Sequence, residues 1–385
     1  MISGKGSVFN PGGAECARLD VLVFVEDPGA ANFVAPLVGA MGERGAQCVV
    51  LASGLAAAIL RRRSVPYREV AAEDSAESVL AEFTPRLVLV GTATNPDTFG
   101  LRLVAAARRR SVLSVGAVDA SMNSALRFRG HTAEPLAYAP DWIFVPDQLV
   151  ATSFIELGMP VDRVIACGNP HYDYVMDLGE KWQSEDRAKF RRRIFSKSST
   201  GRKILLFAAE GSARVLAAPR ERMATYSFLG RGNLSGRTEI ALEELLDALP
   251  AVPPRPYVVL RAHPKDHCED YAAYADEIDV ISAGGDPLEI VFAADLVVGT
   301  TTMLVAEAAL LGRATVAIIP VPEERHWLPS VVLGLTQVAT TRADVPRVLR
   351  EGLRSAVDER ALVSLRGSKE RAAIALARVL SNAGP

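Results

Sequence analysis

Side chains that could bind or protonate a ligand follow an apolar run in YVVLRAHPKDHCEDY, residues 257 to 271. Ligands of open α/β sheets bind outside the carboxyl ends of strands, so a histidine at such an end is a candidate site residue. His263 could donate to a phosphate or protonate a leaving oxygen, because an imidazole titrates near neutral pH. Capping or packing of the strand end is the alternative. A zinc site that adds His267 is a weaker hypothesis, since Pro264 separates the two and no third ligand is evident.

A second candidate is the turn in DLVVGTTTMLVAEAALLGRATVAI, residues 295 to 318, where a strand is followed by three threonines and an apolar helix. Backbone N–H groups and the dipole at a helix N-terminus favour anions, and the hydroxyls of Thr300, Thr301 and Thr302 add donors. Glu307 lies about one and a half turns into the helix, where its carboxylate could accept hydrogen bonds from a ribose. Helix capping by the threonines and a surface position for Glu307 are the alternatives.

The first strand of the chain ends in two acids, in FVEDPGAANFVAPL, residues 24 to 37. Glu26 and Asp27 stand where that strand ends, and Gly29 allows a close approach of backbone or ligand. A carboxylate here could act as general base on an acceptor hydroxyl, and turn or N-cap duty is the alternative. The glycine pattern is not G-x-G-x-x-G, so a nicotinamide cofactor is not supported.

A fourth loop, VGAVDASMNSALRFRGH, residues 115 to 131, carries acids, amides, hydroxyls and guanidinium groups after another strand. Asp119 is a second candidate base. Ser121, Asn123 and Arg127 suit recognition of a polyol or an anionic acceptor, because guanidinium groups bind oxyanions in fixed geometry. A surface loop with ordinary polar residues is the alternative.

These loops need a scaffold, and the chain repeats a short apolar strand, a polar loop and an amphipathic helix. Such a repeat predicts parallel sheets covered by helices on both faces. The strands are predicted at 19–25, 47–51, 86–90, 112–118, 142–145, 163–167, 203–210, 256–262, 279–283, 295–299 and 314–319. A charged stretch interrupts the repeat and marks a boundary, and a Gly/Arg/Ser loop at 228–239 is a candidate lid. We predict a first domain at 1–178, a linker at 179–202, a second domain at 203–358 and a C-terminal helix at 359–385 that crosses back to the first domain.

Composition limits the function classes. The chain has 385 residues, 49% of them hydrophobic, and a formal net charge of -2, so no global field would draw it to nucleic acid or an anionic membrane. The four cysteines form no C-x-x-C pair, which favours buried, reduced thiols. Neither a signal peptide nor a membrane-spanning run of apolar residues is evident, so we expect a cytoplasmic protein without an integral membrane segment.

The sequence resembles the GT-B glycosyltransferase superfamily at ACGNPHYDYV (166 to 175), VVLRAHP (258 to 264) and DLVVGTTTMLVAEAALLGRATV (295 to 316). More narrowly it resembles the branch with non-hydrolysing UDP-N-acetylglucosamine 2-epimerases and CDP-glycerol glycerophosphotransferase or capsule-type transferases. The resemblance implies two Rossmann-like doubly wound parallel-sheet domains of the α/β class, facing each other across a cleft. It also implies a donor nucleotide in the second domain, an acceptor in the first, and a role in polysaccharide or glycoconjugate biosynthesis.

By this resemblance His263 contacts phosphate and assists the leaving nucleotide, the three threonines bind phosphate, and Glu307 binds ribose. Arg261 is a further donor contact, and Asp27 or Asp119 supplies the base. The implied activity is metal-independent transfer of a sugar from a nucleotide-activated donor to a small-molecule or glycan hydroxyl, with no cofactor. The alternatives are a sugar-nucleotide 2-epimerase and a catalytically silent nucleotide-sugar binding protein, and a homodimer is an assembly we consider. The acidic E-D-P-G loop replaces a basic loop of the epimerases, which argues against epimerisation.

Overall fold

The computed structural model describes residues 19–183, 187–195, 199–211, 226–232, 236–354, 362–363 and 365–383. The chain divides into two compact units, each containing one sheet. The first unit comprises residues 19–119, 123–166 and 372–383, and the second comprises the described parts of 120–122 and 167–371.

The first unit contains a sheet of seven parallel strands. The strands are β1 (Val21–Val25), β2 (Cys48–Ala52), β3 (Arg68–Glu69), β4 (Leu87–Gly91), β5 (Leu113–Ala117), β6 (Trp142–Val145) and β7 (Val164–Ala166). The helices are α1 (Pro28–Glu43), α2 (Ala56–Arg62), α3 (Ala76–Phe83), α4 (Phe99–Arg109) and α5 (Gln148–Glu156). The strand order is β3-β2-β1-β4-β5-β6-β7, and β1 is buried along its whole length, as expected for a parallel strand covered on both faces.

The second unit contains a sheet of six parallel strands. The strands are β8 (Ile204–Ala208), β9 (Tyr257–Arg261), β10 (Val280–Ser282), β11 (Leu296–Gly299), β12 (Ala314–Ile318) and β13 (Gln337–Ala339). The helices are α6 (Pro170–Gln183), α7 (Arg187–Ile194), α8 (Arg237–Ala248), α9 (Pro287–Ala293), α10 (Met303–Leu310), α11 (Pro329–Val332) and α12 (Val345–Gly352). The strand order is β10-β9-β8-β11-β12-β13. A last helix, α13 (Ser368–Ser381), has residues in both units.

The predicted fold class, two doubly wound parallel sheets of the α/β class, is confirmed, and every predicted strand is present within two residues of its predicted ends. The strands β3 and β13 are additional, and each lies at the edge of its sheet. The contacts divide the chain between residues 166 and 167, whereas the sequence predicts the end of the first domain at residue 178. The reason is that α6 packs against α10 of the second unit, where a Cβ atom on Gly179 would lie 3.3 Å from the Leu311 side chain.

Each sheet has one place where the strand order reverses. The strand β1 lies between β2 and β4, and β8 lies between β9 and β11. Connections leave such a point in opposite directions, so a crevice opens beyond the carboxyl ends of the two central strands. The loops after β1 and β4 border this crevice in the first unit, and the loops after β8 and β11 border it in the second.

Candidate functional site

A carboxylate bound by two threonines lies at the carboxyl edge of the second sheet. Glu210 follows β8, while Thr300 and Thr301 follow β11, so their loops flank the point where the strand order reverses. Thr300 Oγ1 donates to Glu210 Oε2, and Thr301 Oγ1 donates to Glu210 Oε1, both at 2.6 Å. The turn that the sequence predicts as an anion site therefore holds an oxyanion, and this oxyanion is a side chain of the protein itself.

Arg237, the first residue of α8, lies beside this carboxylate. Its Nε donates to Glu210 Oε2 at 2.8 Å, its Nη2 donates to Thr301 Oγ1 at 3.1 Å, and its Nη1 donates to Glu324. Burial opposes the charged form, but Glu210 and Glu324 hold the pKa of Arg237 above its ordinary value. Burial also raises the pKa of Glu324, against the pull of Arg237. We call Glu210, Arg237, Thr300, Thr301 and Glu324 the Glu210 cluster.

His263 is half-buried directly after β9 and lies within electrostatic range of Glu210. Burial lowers the pKa of His263 below its ordinary value, which favours the neutral form of the ring. The backbone N–H of Lys265 donates to Nδ1 at 3.2 Å. A neutral imidazole that accepts at Nδ1 carries its proton on Nε2. His263 is therefore equipped to donate a hydrogen bond through Nε2, as an oxyanion requires.

The other two residues predicted to bind the donor nucleotide have mainly local contacts. Arg261 is buried, and its guanidinium donates to Ser282 Oγ at 3.2 Å and to the Gly285 carbonyl at 3.1 Å, which ties β9 to the loop after β10. Thr302 is the N-cap residue of α10, and its carbonyl accepts from the Val305 N–H at 3.0 Å. A role for either residue in nucleotide binding stays a prediction.

Glu307 is buried on α10 and is fixed from another helix. His171, the second residue of α6, places Nε2 2.5 Å from Glu307 Oε1. Both side chains are at least nine-tenths buried. Because the pair is buried, the geometry of the carboxylate is set by α6 as well as by α10.

The edge of the first sheet also carries a carboxyl group within reach of polar donors. Glu26 follows β1, and its side chain is hydrogen-bonded to Thr98 and Asn95, which lie between β4 and α4. Burial raises the pKa of Glu26, and Asp27 adds to the rise, while the two hydrogen bonds oppose it. A carboxyl group with a raised pKa can exchange a proton closer to neutral pH than an ordinary glutamate can.

Asp119 lies against the first turn of α1. A Cβ atom on Gly29 would lie 1.8 Å from Asp119 Oδ2, so only glycine fits there. Arg127 Nη1 donates to Asp119 Oδ1 at 3.1 Å, and both side chains are largely buried. The loop from Asp119 to Arg127 is therefore anchored at both ends, and the absence of a side chain at Gly29 leaves room for the Asp119 carboxylate.

The remaining residues predicted in the first domain are spread over two loops. Asp27 occupies the N-cap position of α1 with an extended backbone. Ser121 is half-buried in the short segment 120–122, which groups with the second unit. Asn123 is exposed with a left-handed backbone at φ 62°. Their roles as base or acceptor contacts stay predictions.

Many solved structures share this fold with the chain. The UDP-GlcNAc 2-epimerase from Neisseria meningitidis bound to UDP-GlcNAc is 14% identical, with a TM-score of 0.65 over 94% of this chain and 100% of that one. The UDP-GlcNAc 2-epimerase from Methanocaldococcus jannaschii is 12% identical, with a TM-score of 0.65 over 94% and 100%. Alr3699/HepE from Anabaena, in complex with UDP-glucose, is 13% identical, with a TM-score of 0.57 over 94% and 98%.

The chain has the GT-B fold of these proteins. At this level of identity the likeness concerns the fold alone. No protein-family model and no curated protein sequence matches the chain.

The described residues contain no group of three His, Cys, Asp or Glu side chains arranged to hold a metal ion. None of the helices assigned within them is long and apolar enough to cross a bilayer.

Residues 233–235 of the candidate lid lie outside the described part of the chain. Gly230 and Arg231 of that loop donate backbone N–H groups to the α8 carboxylates of Glu244 and Glu243.

Sequence reasoning missed three members of the Glu210 cluster and the partner of Glu307. The sequence pattern places Glu210 at the end of a predicted strand, and an acid at such a position is the signal that singles out Glu26. Arg237 and Glu324 lie far from Glu210 in sequence, and only the fold brings them together. His171 lies in one of the motifs that carry the resemblance, but the sequence around it indicates no chemistry for the ring.

Proposed function

We propose that this protein is an enzyme that binds a nucleoside diphosphate sugar at the Glu210 cluster. The observation that carries this proposal is the oxyanion held by Thr300, Thr301 and Arg237. Donors arranged around a carboxylate also suit a phosphate, because both are oxyanions that accept charge-assisted hydrogen bonds. The phosphate replaces the Glu210 carboxylate, and Arg237 changes its partner from one anion to the other.

Two neighbouring residues complete the nucleotide site in this proposal. His263 donates through Nε2 to a diphosphate oxygen and stabilises the charge that develops as the nucleotide leaves. Glu307 accepts from the ribose. It lies five residues after Thr302, about 7.5 Å along the helix axis, which is comparable with the span from the 5′-phosphate to the 2′-hydroxyl of a nucleotide.

Epimerisation at C2 of a UDP-activated N-acetylhexosamine is the first reaction to test. Its support is the likeness to UDP-GlcNAc 2-epimerases over nearly the whole length of both chains. Epimerisation removes a proton from one face of the carbon and returns one to the other, so it needs groups with acid–base capacity. The candidates for that role are Glu26, Asp27 and Asp119.

Glycosyl transfer to a hydroxyl acceptor is the second candidate. It is favoured by the acidic loop after β1, where Glu26 and Asp27 replace the basic loop expected of an epimerase. In transfer, a carboxylate takes the proton of the acceptor hydroxyl while the nucleoside diphosphate leaves the sugar. Epimerisation needs the nucleotide sugar alone, whereas transfer also needs an acceptor.

The first experiment is therefore incubation with UDP-GlcNAc alone, followed by NMR of the sugar ring protons. A second isomer without acceptor supports epimerisation, while product that forms only after an acceptor is added supports transfer. If calorimetry detects no binding of UDP, CDP, GDP, TDP or ADP or of their sugar conjugates, the proposal is wrong.

Substitutions of the two opposite charges in the Glu210 cluster should change the affinity for a nucleoside diphosphate in opposite directions. Glu210→Gln removes the competing charge and should tighten diphosphate binding at least threefold at low salt, because Arg237 loses a rival anion. Arg237→Gln should weaken binding by about tenfold. Glu323→Gln is the matched control, since Glu323 is an exposed carboxylate beside Glu324 and should leave affinity unchanged.

A further inference from the structure

We propose that His171 is a positioning residue that holds the Glu307 carboxylate in the orientation that reads a ribose. This inference rests on the proposed function. It concerns the motif ACGNPHYDYV, whose histidine is absent from the proposed chemistry above. The motif lies in the second unit from Cys167 onward, as does Glu307.

The contact between His171 and Glu307 involves only one of the two carboxylate oxygens. His171 Nε2 contacts Oε1 of Glu307 at 2.5 Å. Within the described part of the chain, the Glu307 carboxylate has this side-chain hydrogen bond through Oε1, which leaves Oε2 for a ligand. A carboxylate fixed through one oxygen presents the other in a defined direction, which is what recognition of a sugar hydroxyl requires.

His171 is itself held from several sides, so its ring can define that direction. Its backbone N–H donates to Asn169 Oδ1 at 3.0 Å, which fixes the start of α6. The ring of Tyr174 stacks on the imidazole with centroids 6.0 Å apart and planes inclined by 20°. Two residues after His171, Asp173 anchors α6 independently of the His171 ring, because it accepts from the backbone N–H groups of Gly367 and Lys369 at 2.8 and 2.6 Å.

The burial of both partners explains why the contact matters. A buried carboxylate that loses its donor has to find another or turn toward solvent, because an unpaired buried charge is costly. Without His171 the Glu307 side chain loses the contact that selects its rotamer. The expected effect falls on ribose recognition more than on phosphate binding, which depends on the Glu210 cluster.

The test compares ribonucleotides with 2′-deoxyribonucleotides. Calorimetry gives the ratio of Kd for the 2′-deoxy and ribo forms of whichever nucleoside diphosphate the protein binds. We expect a ratio of about 10 or more in the unmodified protein, because a hydrogen bond to a charged acceptor is lost in the deoxy form. Glu307→Gln should reduce the ratio to near 1, and His171→Ala should reduce it at least threefold.

Two amide variants keep the test decisive if His171→Ala folds poorly. The amide nitrogen of Gln reaches the position of Nε2, whereas that of Asn reaches only the position of Nδ1. His171→Gln should therefore keep the ratio and His171→Asn should lose it. Asp173→Ala is the matched control, because it loosens the same segment and lowers the melting temperature without touching Glu307.

The outcomes separate the two proposals. If the protein binds no nucleotide, the proposed function fails and this inference fails with it. If the ratio in the unmodified protein depends on Glu307 but all the His171 variants retain it, the inference alone is wrong. An equal loss of the ratio in Asp173→Ala would also overturn it, since general loosening of α6 would then explain the effect.

Discussion

The contact between Gly29 and Asp119 makes the sharpest prediction from the geometry. In Gly29→Ala the new Cβ would lie 1.8 Å from Asp119 Oδ2 and 2.8 Å from its Cγ. The carboxylate has to retreat by roughly 1.5 Å to reach van der Waals contact. That movement breaks the 3.1 Å hydrogen bond from Arg127 Nη1, in a pair of which 7% of the arginine and 15% of the aspartate side chain is exposed.

The expected cost follows from that burial. Breaking a buried ion pair costs about 3 kcal/mol or more, and the gain in helix propensity from glycine to alanine returns about 1 kcal/mol. We therefore expect Gly29→Ala to destabilise the first unit by about 2 kcal/mol. Gly39→Ala is the matched control on the same helix, because its Cβ would meet no atom within 4 Å. That variant should gain about 1 kcal/mol.

Scanning calorimetry of the two alanine variants measures the difference directly. A gap of about 3 kcal/mol corresponds to roughly 6 to 12 °C in the transition of a unit of this size. The double variant Gly29→Ala/Asp119→Ala isolates the cause. On the Asp119→Ala background the Gly29 substitution should be neutral or stabilising, because the clashing oxygens are gone. If it is as harmful there as in the unmodified protein, contact with Asp119 is not the reason for the glycine.

Three further predictions concern charge. Arg237→Ala should lower the free energy of unfolding by about 3 to 5 kcal/mol in urea titrations, because Glu210 and Glu324 lose the cation between them. An unchanged free energy of unfolding would show that the two carboxylates do not depend on this cation. Because burial lowers the folded pKa of His263, the unfolded state binds more protons as the pH falls through 6.5 toward the lower folded pKa, so stability should fall over that range. The fall should be smaller in His263→Asn, and melting curves at a series of pH values would show the difference. Burial raises the pKa of Cys48 to about 11, so iodoacetamide at pH 8.5 should alkylate this thiol about 100-fold more slowly than a model thiol. Mass spectrometry measures the rate of alkylation, and equal rates would contradict the burial of Cys48.

The strands were predictable where burial on both faces demands an unbroken apolar run. VLVFV of β1 and ILLFA of β8 are buried at every position, and no other element explains such runs. The two edge strands β3 and β13 could not be predicted in this way. Arg68–Glu69 pairs with only one neighbour, β2, and Gln337–Ala339 only with β12, so neither needs an apolar sequence on both faces.

The candidate site was predictable in position but not in partners. Parallel strands place their carboxyl ends at one edge, so the sequence alone assigns Thr300 and His263 to the same region. Their partners depend on long-range contacts. Arg237 reaches Glu210 from 27 residues away, and His171 reaches Glu307 from 136 residues away. No spacing rule encodes such pairs, because neither follows a helix or strand period. For His171 and Glu307 the chain between them includes the strands β8 to β11.

The two units repeat one arrangement with different electrostatics. In each, a glutamate follows the strand at which the order reverses, Glu26 after β1 and Glu210 after β8, and it takes hydrogen bonds from the loop after the adjacent strand. The crevice at such a point admits a side chain from one loop and donors from the other, which explains why the same solution appears twice. The difference lies in the counter-charge. Glu210 is paired with a partly buried arginine, whereas burial and Asp27 raise the pKa of Glu26. One position therefore suits the exchange of one anion for another, and the other suits the exchange of a proton.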